Sequence, residues 1–182
     1  MNTFRMWLEQ SELSQEIDVN SLKNLILNFC KNSFGQDKIV QKLGDINIIF
    51  ENRNIIFRCF KPQEFNFGRM QWVIPSVDFE FEWEKQPEEK EQQPGDGNYG
   101  KWTIRKEKHP GTLSMFHKLK DIFTQLSKYA VALTYTPIGE KREQFYKNFF
   151  SKCGFQEIPP VHKATWIPTI LFQQQQQKPH WG

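Results

Sequence analysis

Residues 78–84 read Asp-Phe-Glu-Phe-Glu-Trp-Glu, a strict alternation of acid and aromatic side chains. Only an extended strand sorts such a run onto two faces; a helix would scatter the rings around its circumference. With period two, Phe79, Phe81 and Trp83 turn toward a core, and Asp78, Glu80, Glu82 and Glu84 turn the other way. Four like charges along one strand face are unfavourable unless water or cations on a neighbouring strand oppose them. The chain must therefore build a sheet with one apolar side and one polar side around this strand, which begins in the extended run at residues 71–75.

The flanking patterns supply partners for it. Leu22, Leu25, Ile26, Phe29 and Cys30 recur at helical spacing, with Asn20 or Ser21 available as the N-cap and Gly35 past the end. DINIIF and NIIFRCF, separated by Glu51-Asn52-Arg53, read as an antiparallel hairpin. Pro62 and Gly68 mark residues 61–70 as a loop. After the acid strand, KQPEEKEQQPGDGNYG buries too little apolar surface to offset its ordering entropy, so residues 85–100 are expected to form a flexible hairpin loop. It leads to a basic strand, KWTIRKEK, whose lysines and Arg105 can face the acids if the two strands pair.

Next come a turn, HPGT, and a helix with Leu113, Phe116, Leu119, Ile122, Phe123 and Leu126 on one wide stripe, with Thr112 able to cap it. Residues 129–135 read as a short buried strand. A second helix carries Phe145, Tyr146, Phe149, Phe150 and Cys153 on one face and stops at Gly154. Residues 164–172 read as a last strand that Pro168 interrupts. The expected architecture is one α+β domain over residues 1–172, with α/β/α layers around a mixed, mostly antiparallel sheet. Residues 1–18 form either a short docked helix or a loose arm, and the Gln-rich residues 173–182 form a disordered tail. With 17 phenylalanines, the core should be built largely from rings.

Charge and cysteines exclude several classes. A formal charge of +3 with dispersed Lys and Arg does not mark a nucleic-acid binder, although Lys101, Arg105, Lys106 and Lys108 beside Trp102 keep that reading open as a third choice. Cys30, Cys59 and Cys153 are odd in number and widely spaced, which argues against a disulfide framework or a zinc ribbon and suggests a reducing, cytoplasmic setting. The four histidines are too dispersed for a metal site. No run approaches the ~20 apolar residues of a membrane span, so no membrane partner is expected.

The helix-strand-helix run ending Phe150-Ser151-Lys152-Cys153-Gly154-Phe155 resembles the GNAT N-acetyltransferase superfamily, whose second cofactor helix often closes with an aromatic, three residues and Gly-Phe. The order of elements agrees from about residue 20 to 172. The resemblance implies acetyl-CoA or another acyl-CoA as co-substrate and a small-molecule or protein amine as acceptor, and the acid strand suits a cationic one. The family's Q/R-x-x-G-x-G/A loop falls on Lys106-Glu107-Lys108-His109-Pro110-Gly111, with Lys and His at the first and fourth places and the last glycine kept. Cofactor contacts would then come from Trp102, Ile104, Lys106, Lys108, His109, Gly111, Thr112 and Leu113. In the family a Tyr on the second helix commonly protonates the leaving thiolate and a strand Glu serves as base. Here Phe150 takes the Tyr position, so Tyr146, one turn earlier, is the candidate acid, with Tyr135 second, and Glu80 and Glu82 are the candidate bases. An alternative keeps the fold without catalysis, as a binding or regulatory module.

Overall fold

The computed structural model describes residues 15–51, 53–83, 112–136, 139–160 and 163–176. Helix α1 (Val19–Phe34) starts from Asp18, whose Oδ1 accepts from the backbone N–H groups of Asn20 (2.9 Å) and Ser21 (3.0 Å). The cap therefore lies just before the two expected residues, because a carboxylate there reaches two of the helix's unpaired donors at once. The Ser21 hydroxyl bonds the same carboxylate, and these bonds hold the Asp18 carboxyl below its usual range. Leu22, Ile26, Cys30 and Phe34 form the buried stripe at i, i+4 spacing, and the helix ends at Gly35, where φ is +96°.

Four strands follow in antiparallel order: β1 (Ile39–Lys42), β2 (Asp45–Phe50), β3 (Arg53–Phe67) and β4 (Met70–Trp83). The expected hairpin is β2–β3; β1 is a short edge strand with no alternation to reveal it. Residues 61–70 are not a loop. They extend β3 and β4 into a long hairpin closed at Gly68 and Arg69, and Pro62 is accommodated because it falls at a β-bulge. The register moves by one residue between Phe60↔Ser76 and Gln63↔Ile74. That inserted residue reverses which face later side chains occupy, so Phe57 packs in one core and Phe65 in the other.

The second half comprises α2 (Thr112–Leu126), β5 (Ala132–Tyr135), α3 (Glu140–Lys152), β6 (Phe155–Ile158), β7 (Ala164–Pro168) and α4 (Thr169–Gln176). Among the described residues the strands form one seven-stranded sheet in the order β1-β2-β3-β4-β5-β7-β6, in which β4 and β5 are the parallel pair. The fold is a mixed α+β architecture, as expected. Buried side chains of α1, α2 and α3 share one core on one face of the sheet, while Leu171 and Phe172 of α4 pack with Phe65 and Trp72 on the other.

The C-terminal expectation needs correction. The strand stops at Pro168, and residues 169–176 form α4, so Gln173 to Gln176 are helical rather than part of a disordered tail. Leu171 and Phe172 give that turn an apolar anchor which composition conceals; residues 177–182 lie outside the described residues. So do residues 1–14, and the bridge from Gln15 to Tyr129 ties the first described residue to the domain. Among the described residues, no helix is long and apolar enough to cross a membrane.

The larger core is built from rings, as the composition implies. Phe123 meets Phe150 at 5.2 Å and 87° and Phe79 at 5.3 Å and 90°, both edge-on contacts that suit aromatic quadrupoles. The three cysteines are free; burial pushes the thiols up to about 12 for Cys30 and about 11 for Cys59 and Cys153, which leaves them protonated and inert at neutral pH.

Gly154, the glycine at which α3 was expected to stop, has φ +95°, and a Cβ there would sit 3.0 Å from Ser127 Oγ and 3.2 Å from Ser127 Cβ. Gly154→Ala combines a left-handed backbone with this contact and is expected to cost about 1–3 kcal/mol in urea denaturation. An unchanged midpoint would mean that the turn relaxes freely.

A cleft where two parallel strands part

The ladder between β4 and β5 covers only Ser76↔Ala132, Val77↔Leu133 and Asp78↔Thr134. Beyond it, among the described residues, β4 continues to Trp83 paired with β3, while β5 ends at Tyr135. Where the two strands part, a cleft of about 330 Å³ opens, bordered by residues from both sides of the sheet. Alternation along β4 supplies Asp78 and Glu80 to one side of it and Phe79 and Phe81 to the other. The remaining walls come from Tyr135 and Thr136 at the end of β5, Arg142 and Tyr146 on α3, Arg58 on β3, and Lys163 just before β7.

The polar side is a charge-balanced network. Asp78 is 4% exposed and accepts from Thr134 Oγ1 (2.9 Å) and Lys163 Nζ (2.9 Å). Arg58 donates Nε to Asp45 (3.0 Å), forms a short ion pair with Glu80, and brings its Nη1 within 3.8 Å of Asp78. Hydrogen bonding to Glu80, and then to Asp45, holds the Arg58 guanidinium above its usual range. Thus the acid face is opposed by Arg58 and Lys163. The cations expected for this role, on the basic strand at 101–108, lie outside the described residues, as do Lys101 and Arg105 of the nucleic-acid reading.

Removal of Arg58 should expose how much the network matters. Arg58→Met leaves Asp45, Asp78 and Glu80 without their shared cation, and a loss of about 1–3 kcal/mol is expected, at the lower end because the arginine is partly in water. Chemical denaturation at neutral pH measures it; a neutral effect would reduce Arg58 to a solvated surface charge.

The apolar side is aromatic. Tyr146 stacks on Phe150 at 5.6 Å and 13° and lies 5.0 Å from Tyr135. Burial pushes the Tyr146 hydroxyl up to about 12 despite the opposing pull of Arg142. Tyr135 is also pushed up to about 12, by burial first and then by the Glu157 and Glu143 carboxylates. Its hydroxyl is buried without a hydrogen bond; the Trp166 indole lies near enough to favour the phenolate slightly, but the pair misses hydrogen-bond geometry. Both phenols therefore remain protonated at neutral pH.

The structure brings Tyr146 and Glu80, two of the three candidate catalytic residues, into this cleft together with Tyr135, the second candidate acid. The third, Glu82, lies further along β4, where its backbone pairs with Asn54; its side chain is outside the described part. Phe150 is fully enclosed and packs as a core ring. Of the candidate cofactor residues, Trp102, Ile104, Lys106, Lys108, His109 and Gly111 lie outside the described residues. Thr112 and Leu113 open α2, and Leu113 is 73% exposed. One turn further into α2, the Phe116 ring is 6.4 Å from that of Phe81, a residue of the cleft wall.

Arg58, Arg142 and Lys163 escaped the sequence reading, and Asp78 was placed on the acid face without being named a site residue. Asp78 shares the alternation of Glu80 and was discoverable from it, whereas only the strand order brings Arg58 and Lys163 to the same carboxylate. Comparison of the chain with protein-family models, with curated proteins and with solved structures found no significant match in any of the three.

Proposed function

We propose that this chain is an acyl-CoA-dependent N-acyltransferase of the GNAT kind, with acetyl-CoA as donor and an amine as acceptor. The observation that carries the reading is the parting of β4 and β5, the parallel pair, into a cleft with protonated phenols on one side and carboxylates on the other. Its size suits the acyl end of a pantetheine arm rather than a whole nucleotide. Helix α2 opens at Thr112 and Leu113, and the first turn of a helix offers backbone N–H groups without intrahelical partners, which suit phosphate oxygens.

Acyl-CoA, when bound, supplies a thioester, an acyl group already activated for transfer. Glu80 is 42% exposed, has Arg58 to orient it, and takes the proton that an acceptor ammonium must lose before it attacks. Tyr146 Oη faces the opposite requirement, that of a leaving thiolate. With its hydroxyl near 12 against roughly 8.5 for an ordinary thiol, complete proton transfer from Tyr146 would be uphill by several kcal/mol. Its contribution is therefore a hydrogen bond to the sulfur as charge develops there.

Titration calorimetry with acetyl-CoA tests the reading directly. Binding in the micromolar to millimolar range, followed by acetylation of simple amines, is the expected result; no heat at millimolar acetyl-CoA would sink it. Binding without turnover across an amine panel would select the binding-module alternative, which the complete burial of Phe150 favours.

A further inference from the structure

Asp78 differs from the other carboxylates around the cleft. Water hardly reaches it, yet it stands where the sheet opens. Its two close partners are also unlike each other. Thr134 is buried on β5 and holds Oδ1, so it fixes the orientation of the carboxylate. Lys163 holds Oδ2 from just before β7, and its side chain is 43% exposed. Its ammonium, already half in water, can swing outward, whereas the carboxylate cannot follow it. Arg58 cannot replace it fully, because its Nε and Nη1 already serve Asp45 and Glu80.

A buried carboxylate whose nearest cation sits on a displaceable arm suits a second cation of the same shape. The Nζ of Lys163 marks where that cation would bind, and Phe79, Phe81 and Tyr146 offer an apolar wall for the chain carrying it. We propose that Asp78 is the acceptor subsite, that it takes a primary alkylammonium, and that Lys163 competes for it. This rests on the acyl-transfer reading and assigns its substrate class: an unbranched primary amine, rather than a quaternary ammonium that has charge but no N–H to donate. Glu80, two residues along the same strand face, is then placed to receive the amine's proton.

The test uses the full chain with propylammonium chloride, and tetramethylammonium chloride at the same ionic strength as control, in titration calorimetry and thermal shift. Lys163→Gln is expected to bind propylammonium about three- to fivefold more tightly than the wild type, the gain from removing an internal competitor of this strength. Tetramethylammonium should bind neither, and Asp78→Asn should lose propylammonium binding. Equal affinities in wild type and Lys163→Gln, or equal responses to the two cations, overturn the subsite. Should Asp78→Asn fail to fold, Lys163→Gln carries the test alone, because its side chain is already half in water. With acetyl-CoA as donor, Lys163→Gln should lower KM for propylamine by the same factor. Propylammonium binding that follows the predicted order in a chain that binds no acetyl-CoA would uphold the subsite and remove the acyl-transfer reading.

Discussion

Phe150→Ala is expected to destabilise the fold by about 3–5 kcal/mol, the range for emptying a fully enclosed aromatic site. The ring is wholly buried at the meeting point of α2, α3 and the sheet, with Phe123, Tyr135, Tyr146, Phe149 and Trp166 between 5.2 and 5.6 Å away. Rings held from several elements cannot all move inward, so little of the cavity should close. Phe150→Tyr is the sharper variant. It introduces the residue the family resemblance expects, yet puts a hydroxyl into a site enclosed by rings, at a cost of about 1–3 kcal/mol. Urea denaturation of both variants measures the loss. A Phe150→Tyr chain as stable as the wild type and faster in acetyl transfer would show that Phe150 faces the chemistry rather than the core.

Under the proposed acyl transfer, Tyr146→Phe should reduce kcat by about 10²-fold or more, the usual contribution of a positioned proton or hydrogen-bond donor. Acetyl-CoA affinity should hold, since the ring that stacks on Phe150 and touches Tyr135 is retained. Stability should hardly fall for the same reason. Because burial pushes Tyr146 up to about 12, the wild-type rate should show no alkaline decline from this residue across the range in which enzymes are normally assayed. A Tyr146→Phe variant with unaltered kcat would leave Tyr135, whose buried hydroxyl has no hydrogen bond, as the donor to test next.

Long patterns were legible and short ones were not. The acid-aromatic run predicts β4 with its faces in the right sense: Phe79 enters the helix-side core, and Asp78 and Glu80 join Arg58 in an ion-pair network. The helical stripes of α1, α2 and α3 and the glycine after α3 were equally readable. By contrast β1 and β6 hold four residues each, too few for a period to declare itself. Pro62 was misleading because local rules treat proline as a breaker, whereas a bulge in a long hairpin gives it a place without a missing hydrogen bond. Gln173 to Gln176 misled in the same way, since the apolar anchor of that helix lies upstream at Leu171 and Phe172.

The candidate site divides along the same line. Tyr146 and Glu80 can be named from the chain, because each belongs to an element whose own periodicity orients it. That they share one cleft, and that Asp78 there is held by Thr134 from β5 and Lys163 from beside β7, depends on strand order. Lys163 and Asp78 are 85 residues apart and no local pattern links them. Local periodicity determines which face a side chain takes, since it acts over a few residues of backbone geometry. Which faces meet is decided when non-local strands pair and the larger core closes, and the parting of β4 from β5 exists only at that level.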